Sequence, residues 1–200
     1  MRIPTLVPAL ALGAALPAAA QVPDSPEERQ RIAQAVMAAA QPGPEHAELM
    51  ALAGSWTVEA RLWPSPGGEP MTFTFPAENR AILGGRFLES RSSGELMGMP
   101  VEALSVYGFD RRHGKYTVVG FDTFGTYWVT AAGGMDPATR TVAMDGTDDD
   151  PITRMTQVYT LHLRLVDADT YVTDVVFHDA AHAPGGGGFK AVELTHRRRR

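Results

Sequence analysis

The chain has 200 residues, of which 44% are hydrophobic and 20% charged, a size and balance that suit one globular domain and exclude a disordered or membrane-embedded chain. Its formal net charge of -5 is spread along the sequence, so no basic face exists to neutralise a phosphate backbone, and nucleic acid is excluded as a partner. It has no cysteine, which rules out disulfide staples, a thiol nucleophile and a thiol-linked lipid anchor.

Residues 1–21 read as a secretory signal peptide. Arg2 supplies the positive start, residues 6–16 an apolar stretch, and Ala18-Ala19-Ala20 the small-residue cleavage site before Gln21. The stretch is too short to span a bilayer and is interrupted by Pro8 and Pro17. The expected product is therefore periplasmic or secreted, with no integral membrane segment after signal removal.

Residues 22–43 form an N-terminal helix and linker. Ser25, Pro26 and Glu28 make an S-x-x-E capping box with proline at the first helical position. Ile32, Val36, Met37 and Ala40 then recur at helical spacing. Pro42-Gly43-Pro44 ends the helix at Gln41. A second short helix is expected over residues 45–53, with Leu49 and Leu52 on one side and Gly54 taking a left-handed closing position.

From Trp56 the hydrophobic period changes from 3.6 to 2. Trp56, Val58, Ala60 and Leu62 alternate with Thr57, Glu59, Arg61 and Trp63, as a strand with one core face requires. Similar runs follow near 71–76, 79–91, 101–109, 115–122, 126–132, 140–144, 154–165, 170–178 and 188–196, separated by segments rich in Gly, Pro and Asp. Nine or ten strands without crossover helices exclude a parallel sheet and favour a closed antiparallel meander, which leaves no unpaired edge. The expected fold class is all-β: an antiparallel barrel over residues 44–197, preceded by a short helical segment. The acidic stretch Asp145-Gly146-Thr147-Asp148-Asp149-Asp150-Pro151 lacks the spacing of a calcium loop and reads as a solvated hairpin turn. Arg197, Arg198, Arg199 and Arg200 read as a solvated basic end, with residues 198–200 as a tail.

Gly54-Ser55-Trp56, opening the first strand after a short helix, resembles the G-x-W signature of lipocalins. In that family the Trp closes one end of the barrel and packs against a basic residue of the last strand. Four further stretches, Gly85-Arg86-Phe87-Leu88-Glu89, Gly94-Glu95-Leu96-Met97-Gly98-Met99-Pro100, Tyr107-Gly108-Phe109-Asp110 and Phe121-Asp122-Thr123-Phe124-Gly125-Thr126, join Pro42-Gly43-Pro44-Glu45-His46. Together they resemble the bacterial family called domain of unknown function 1579, over roughly residues 41–197. The resemblance implies a calycin-like (lipocalin-like) barrel and no established activity. Phe121 stands where family members often carry Trp, and Asp110-Arg111 where they often carry Asp-Asn.

A barrel of this size holds one small ligand among its inward side chains. The candidate ligand-binding residues are Trp56, Arg86, Glu89, Tyr107, Phe109, Phe121, Asp122, Phe124, Trp128 and His162. The aromatic members supply apolar walls of the kind small-molecule pockets use, and also suit plain strand filling. Arg86 is a carboxylate clamp or a structural cap, Asp122 a ligand-orienting carboxylate or a turn cap, and His162, with Arg164 on its side of the strand, a cavity-facing or an exposed group. His178 and His182 flank a loop and carry no metal expectation. No hydrolase elbow, phosphate loop or metalloprotease motif is present, and no metal or cofactor is implied. The leading expectation is non-catalytic binding of a small, largely apolar molecule in the lumen. The alternatives are a small-molecule enzyme, an isomerase, cyclase or esterase-like activity using inward Arg86, Asp122, Tyr107 or His162, and an envelope interaction module with no occupied lumen.

Overall fold

The structure, a computed structural model, describes residues 25–179 and 181–200, so the expected signal peptide lies outside the described residues. These divide after Ala40 into two units. The first contains α1 (Pro26–Ala39), which starts as its capping box dictates: Ser25 Oγ accepts from the Glu28 amide at 3.1 Å, with Pro26 in the first turn. Glu27 and Glu28 place negative charge at the positive end of the helix dipole. Its apolar residues Ile32, Val36 and Met37 are exposed.

The second unit, Gln41–Arg200, begins with α2 (Pro44–Met50), where the Gly43 amide donates to His46 Nδ1 at 3.0 Å. Ten strands follow: β1 (Gly54–Leu62), β2 (Met71–Ile82), β3 (Phe87–Leu96), β4 (Met99–Asp110), β5 (Lys115–Asp122), β6 (Val129–Asp136), β7 (Thr141–Asp149), β8 (Thr156–Leu165), β9 (Thr170–Phe177) and β10 (Phe189–Arg198). Each pairs antiparallel with the next, and β10 pairs back onto β1 to close the barrel. This is the closed calycin-like meander that period-two hydrophobicity and the absence of crossover helices require.

Boundaries moved at several places, among them β6, which runs through the glycines at 133 and 134 instead of ending before them. The apolar run 79–91 is two strands, because Leu83, Gly84 and Gly85 adopt φ of 50, 67 and 78° and turn the chain over residues 83–86; two glycines make that left-handed path cheap. The acidic stretch is mostly strand: β7 continues to Asp149 with Asp148 opposite Gln157, and the turn lies at 150–155. Alternating carboxylates do not interrupt a ladder that the backbone amides hold. The basic end begins as strand, since Arg197 and Arg198 pair with Thr57 and Trp56, and only Arg199 and Arg200 follow it, exposed.

Registered pairs share a face, so the inward set can be followed around the barrel from Trp56, Val58 and Ala60, each 0% exposed. At the end of the barrel where β1 begins, α2 forms a plug. Leu49 lies among Tyr107, Tyr116, Val142, Met144 and Leu163 with no room for a water molecule, while Phe109 meets Tyr116 and His46 edge-on. Trp56 Nε1 donates to Leu52 O at 2.9 Å, its ring meets Tyr171 edge-on, and the Arg198 guanidinium sits 4.3 Å above it. Arg198 also donates to Ala51 O and Ala53 O, both at 2.8 Å, so the last strand is tied to the end of α2. His196 stacks on Tyr171 at 3.9 Å, and burial lowers its imidazole to about 4.

Two outcomes are expected from this packing. Where β6 meets β7, a side chain on Gly133 would collide with the backbone carbonyl of Ala143, so Gly133→Ala should cost about 2 kcal/mol or more in urea unfolding; an unchanged midpoint would contradict the close approach. His196 is neutral in the folded barrel, whereas the unfolded chain takes up a proton near pH 6.5. Its contribution is fully present above pH 6.5 and is lost as the pH falls toward 4. Between pH 7 and pH 4.5 the parent should lose about 2–3 kcal/mol more stability than His196→Phe; equal losses would show that His196 is solvated.

Candidate functional site

The other end of the barrel is hollow because small side chains face inward there. Ser90, Ser92 and Gly94 on β3 share the inward face with Ala103 and Ser105 on β4 and Gly120 on β5, as their registers fix. A cavity of about 210 Å³ results, walled by Leu62, Phe73, Phe75, Leu96, Val101, Ala103, Val192 and Leu194, with Ser92 and Asp122 among its few polar groups. Phe73 and Phe75 stack at 5.7 Å to form one wall, and Phe75 sits directly against Gly94, where a side chain would meet it. The space therefore depends on the alternation of small residues along β3.

Around the mouth the loops carry exposed apolar groups: Met97 between β3 and β4, Phe124, Tyr127 and Trp128 between β5 and β6, and Ile152 between β7 and β8. The charge at this rim is negative. Partial burial raises the Tyr127 phenol, and the carboxylates of Asp122, Asp148 and Asp150 raise it further. Asp122 faces inward at the rim, but its Oδ1 accepts from the Phe124 amide at 2.9 Å, so it also holds the aromatic loop in place.

Deeper in the barrel lies a belt of polar side chains. Asn79 Nδ2 donates to Leu52 O and to the Tyr171 hydroxyl, both at 3.0 Å. Asn79 Oδ1 and His196 Nδ1 are buried without a partner among the described residues. Burial pushes the Tyr107 hydroxyl up to about 12 although it reaches Ser105, and its charge when ionised would disfavour the Tyr171 phenolate.

The ten residues expected from sequence fall in four places. Trp56 and Phe109 belong to the plug, and Arg86 lies in the turn at that same end, donating to Leu83 O at 3.1 Å. Tyr107 faces the lumen, Asp122 and Phe124 line the cavity, and Trp128 stands exposed in the rim loop. Glu89 and Phe121 point outward, Glu89 pairing with Arg91 at 2.8 Å, which lowers its carboxyl. His162 also lies on the outer wall, 2.8 Å from Asp174, because buried Leu163 and Leu165 fix the opposite parity as inward. Sequence reading missed Asn79, His196 and the small-residue lining; the alternation of Ser90, Ser92 and Gly94 with longer residues was the available signal for the last of these.

Residues 41–198 match the family described as Protein of unknown function (DUF1579). No curated protein matches the chain. Among the described residues, no helix is long and apolar enough to cross a membrane, and no group of three or more His, Asp or Glu is placed to hold a metal ion.

Proposed function

The chain belongs to this family of unknown function, and we propose that it binds one small, largely apolar molecule in the hollow half of its barrel, without transforming it. The supporting observation is the cavity of about 210 Å³, roofed by aromatic loops and floored by a filled plug. An apolar hole of roughly 150 Å³ takes up a benzene molecule, and pockets for drug-sized ligands begin near about 300 Å³. The expected ligand is accordingly a single ring or a short chain. Apolar walls supply affinity through removal of surface from water, and a few polar groups set orientation. The three carboxylates near Tyr127 disfavour an anionic ligand at the entrance. On this reading the protein serves outside the cytoplasm as a carrier, scavenger or sensor, a location that rests on the signal-like residues 1–21.

Filling the hole tests the reading. Ala103→Leu combined with Ser92→Leu adds apolar volume where the cavity now is, so binding of propylbenzene, followed by isothermal titration, should weaken by more than about tenfold while thermal stability stays near that of the parent. Unaltered binding in a folded double variant would overturn the assignment of the lumen. Native mass spectrometry of the protein from its own host should in turn show a co-purifying small molecule.

A further inference from the structure

The mouth explains how an apolar body is held, but it leaves the belt beneath it without a role. Ser90, Ser105 and His196 each lie two residues further along their strands than Ser92, Ala103 and Leu194, which line the cavity. That is one pleat, or about 7 Å, deeper. Asn79 lies opposite Ser90 on the same inner face. Asn79 is 3% exposed and His196 6%, and each keeps one polar atom with no partner among the described residues. Tyr107 faces inward and is only half-buried. Ser90 and Ser105 retain surface as well. Accessible inner surface thus continues from the cavity to Ser90, Ser105 and Tyr107, beside the closed-off polar atoms of Asn79 and His196.

We propose that this belt is a head-group subsite: the ligand of the lumen carries a neutral hydrogen-bonding group, of the alcohol, phenol or primary amide class, whose donor meets Asn79 Oδ1 and whose second bond is made to His196 Nδ1 or the Tyr107 hydroxyl. This rests on the lumen reading and specifies its ligand. The chemistry follows from the inventory. An amide oxygen only accepts, so the ligand must bring an N–H or O–H. Ser90, Ser105, Asn79, Tyr107 and Tyr171 carry no charge, burial keeps His196 neutral, and Arg198, whose charge reaches Tyr171, is already engaged by Ala51 O, Ala53 O and the Trp56 ring, so an ionised head would enter with no free counter-charge. Asn79 Nδ2 is already committed to Leu52 O and Tyr171, which fixes the amide with its oxygen as the free end.

The test compares 4-propylphenol with propylbenzene on the full chain at neutral pH, by isothermal titration. A hydroxyl buried without a partner binds worse than its absence, so preference for the phenol reports a waiting acceptor. The phenol is expected to bind at least about tenfold more tightly. Asn79→Leu and, separately, His196→Phe should reduce that preference while leaving propylbenzene binding in place, and the His196 ring nitrogens should shift in NMR spectra on adding the phenol alone. If propylbenzene binds as well as the phenol, or if the preference survives both substitutions in folded protein, the head-group subsite is wrong and the lumen reading stands. If neither compound binds, the lumen reading fails and this inference fails with it.

Discussion

Everything else in the barrel depends on the contact between the first strand and the last. A meander of ten strands has two edges until β10 finds β1, and unpaired edges invite association with other chains. Trp56 and Arg198 lie directly opposite each other across that seam. The guanidinium covers the indole face, an attraction that strengthens as water is removed. Its remaining donors satisfy carbonyls at the end of α2, where a cation also complements the helix dipole. One residue thus joins the closing strand, the opening strand and the plug. It also sets register: a slip of one position would turn every inward side chain outward, and the inner wall of all ten strands is counted from this pair.

The plug and the hollow are two consequences of one distribution of side-chain size. At the α2 end the inward positions carry Leu88, Phe109, Tyr116, Val142, Met144 and Leu163, and Leu49 fills the space among the last four with no room for water. At the other end Ser92, Gly94 and Ala103 face a stacked pair of phenylalanines. Side chains beside a void forfeit dispersion contacts, so the open half contributes less to stability than its length suggests. The filled half carries the fold, and the small residues keep the lumen open.

Chain architecture was legible because it follows from periods. The capping box at Ser25, the switch at Trp56 and the resemblance of Gly54-Ser55-Trp56 to a lipocalin signature each correspond to an element or contact in the structure. Parity was the difficulty. His162 and Phe121 look equally suited to either face of a strand, and only the pairing of Leu163 with Val142 and of Phe121 with Leu104 settles where they point. Asn79 escaped notice because an asparagine in a strand reads as a weak position, not as an amide held between the Leu52 carbonyl just past α2 and a tyrosine 92 residues away. Non-local pairing of this kind has no signature at short range. Arg198 shows the same limit, since four consecutive arginines read as a solvated end until one of them is seen against an indole.

The placement of the titratable groups bears on what the lumen does. Acid–base chemistry needs a donor and an acceptor within hydrogen-bond reach of one substrate and tuned near the working pH. Here Arg86 sits in a turn beside the plug, Asp122 at the rim with its oxygen engaged by a backbone amide, and His162 outside the wall against Asp174. Tyr107 does face the lumen, but burial holds its proton tightly, with the hydroxyl near 12, and His196 is pushed the other way, to about 4. Both departures arise from exclusion of water, and both keep these two side chains uncharged near pH 7. A neutral wall with fixed donors and acceptors discriminates through unsatisfied partners: a ligand lacking the right group leaves a buried atom orphaned at a cost of about 1–3 kcal/mol. Asn79 Oδ1 and His196 Nδ1 stand in that position, so on the proposed lumen reading a molecule that gives them a partner binds in preference to one of equal apolar surface that does not.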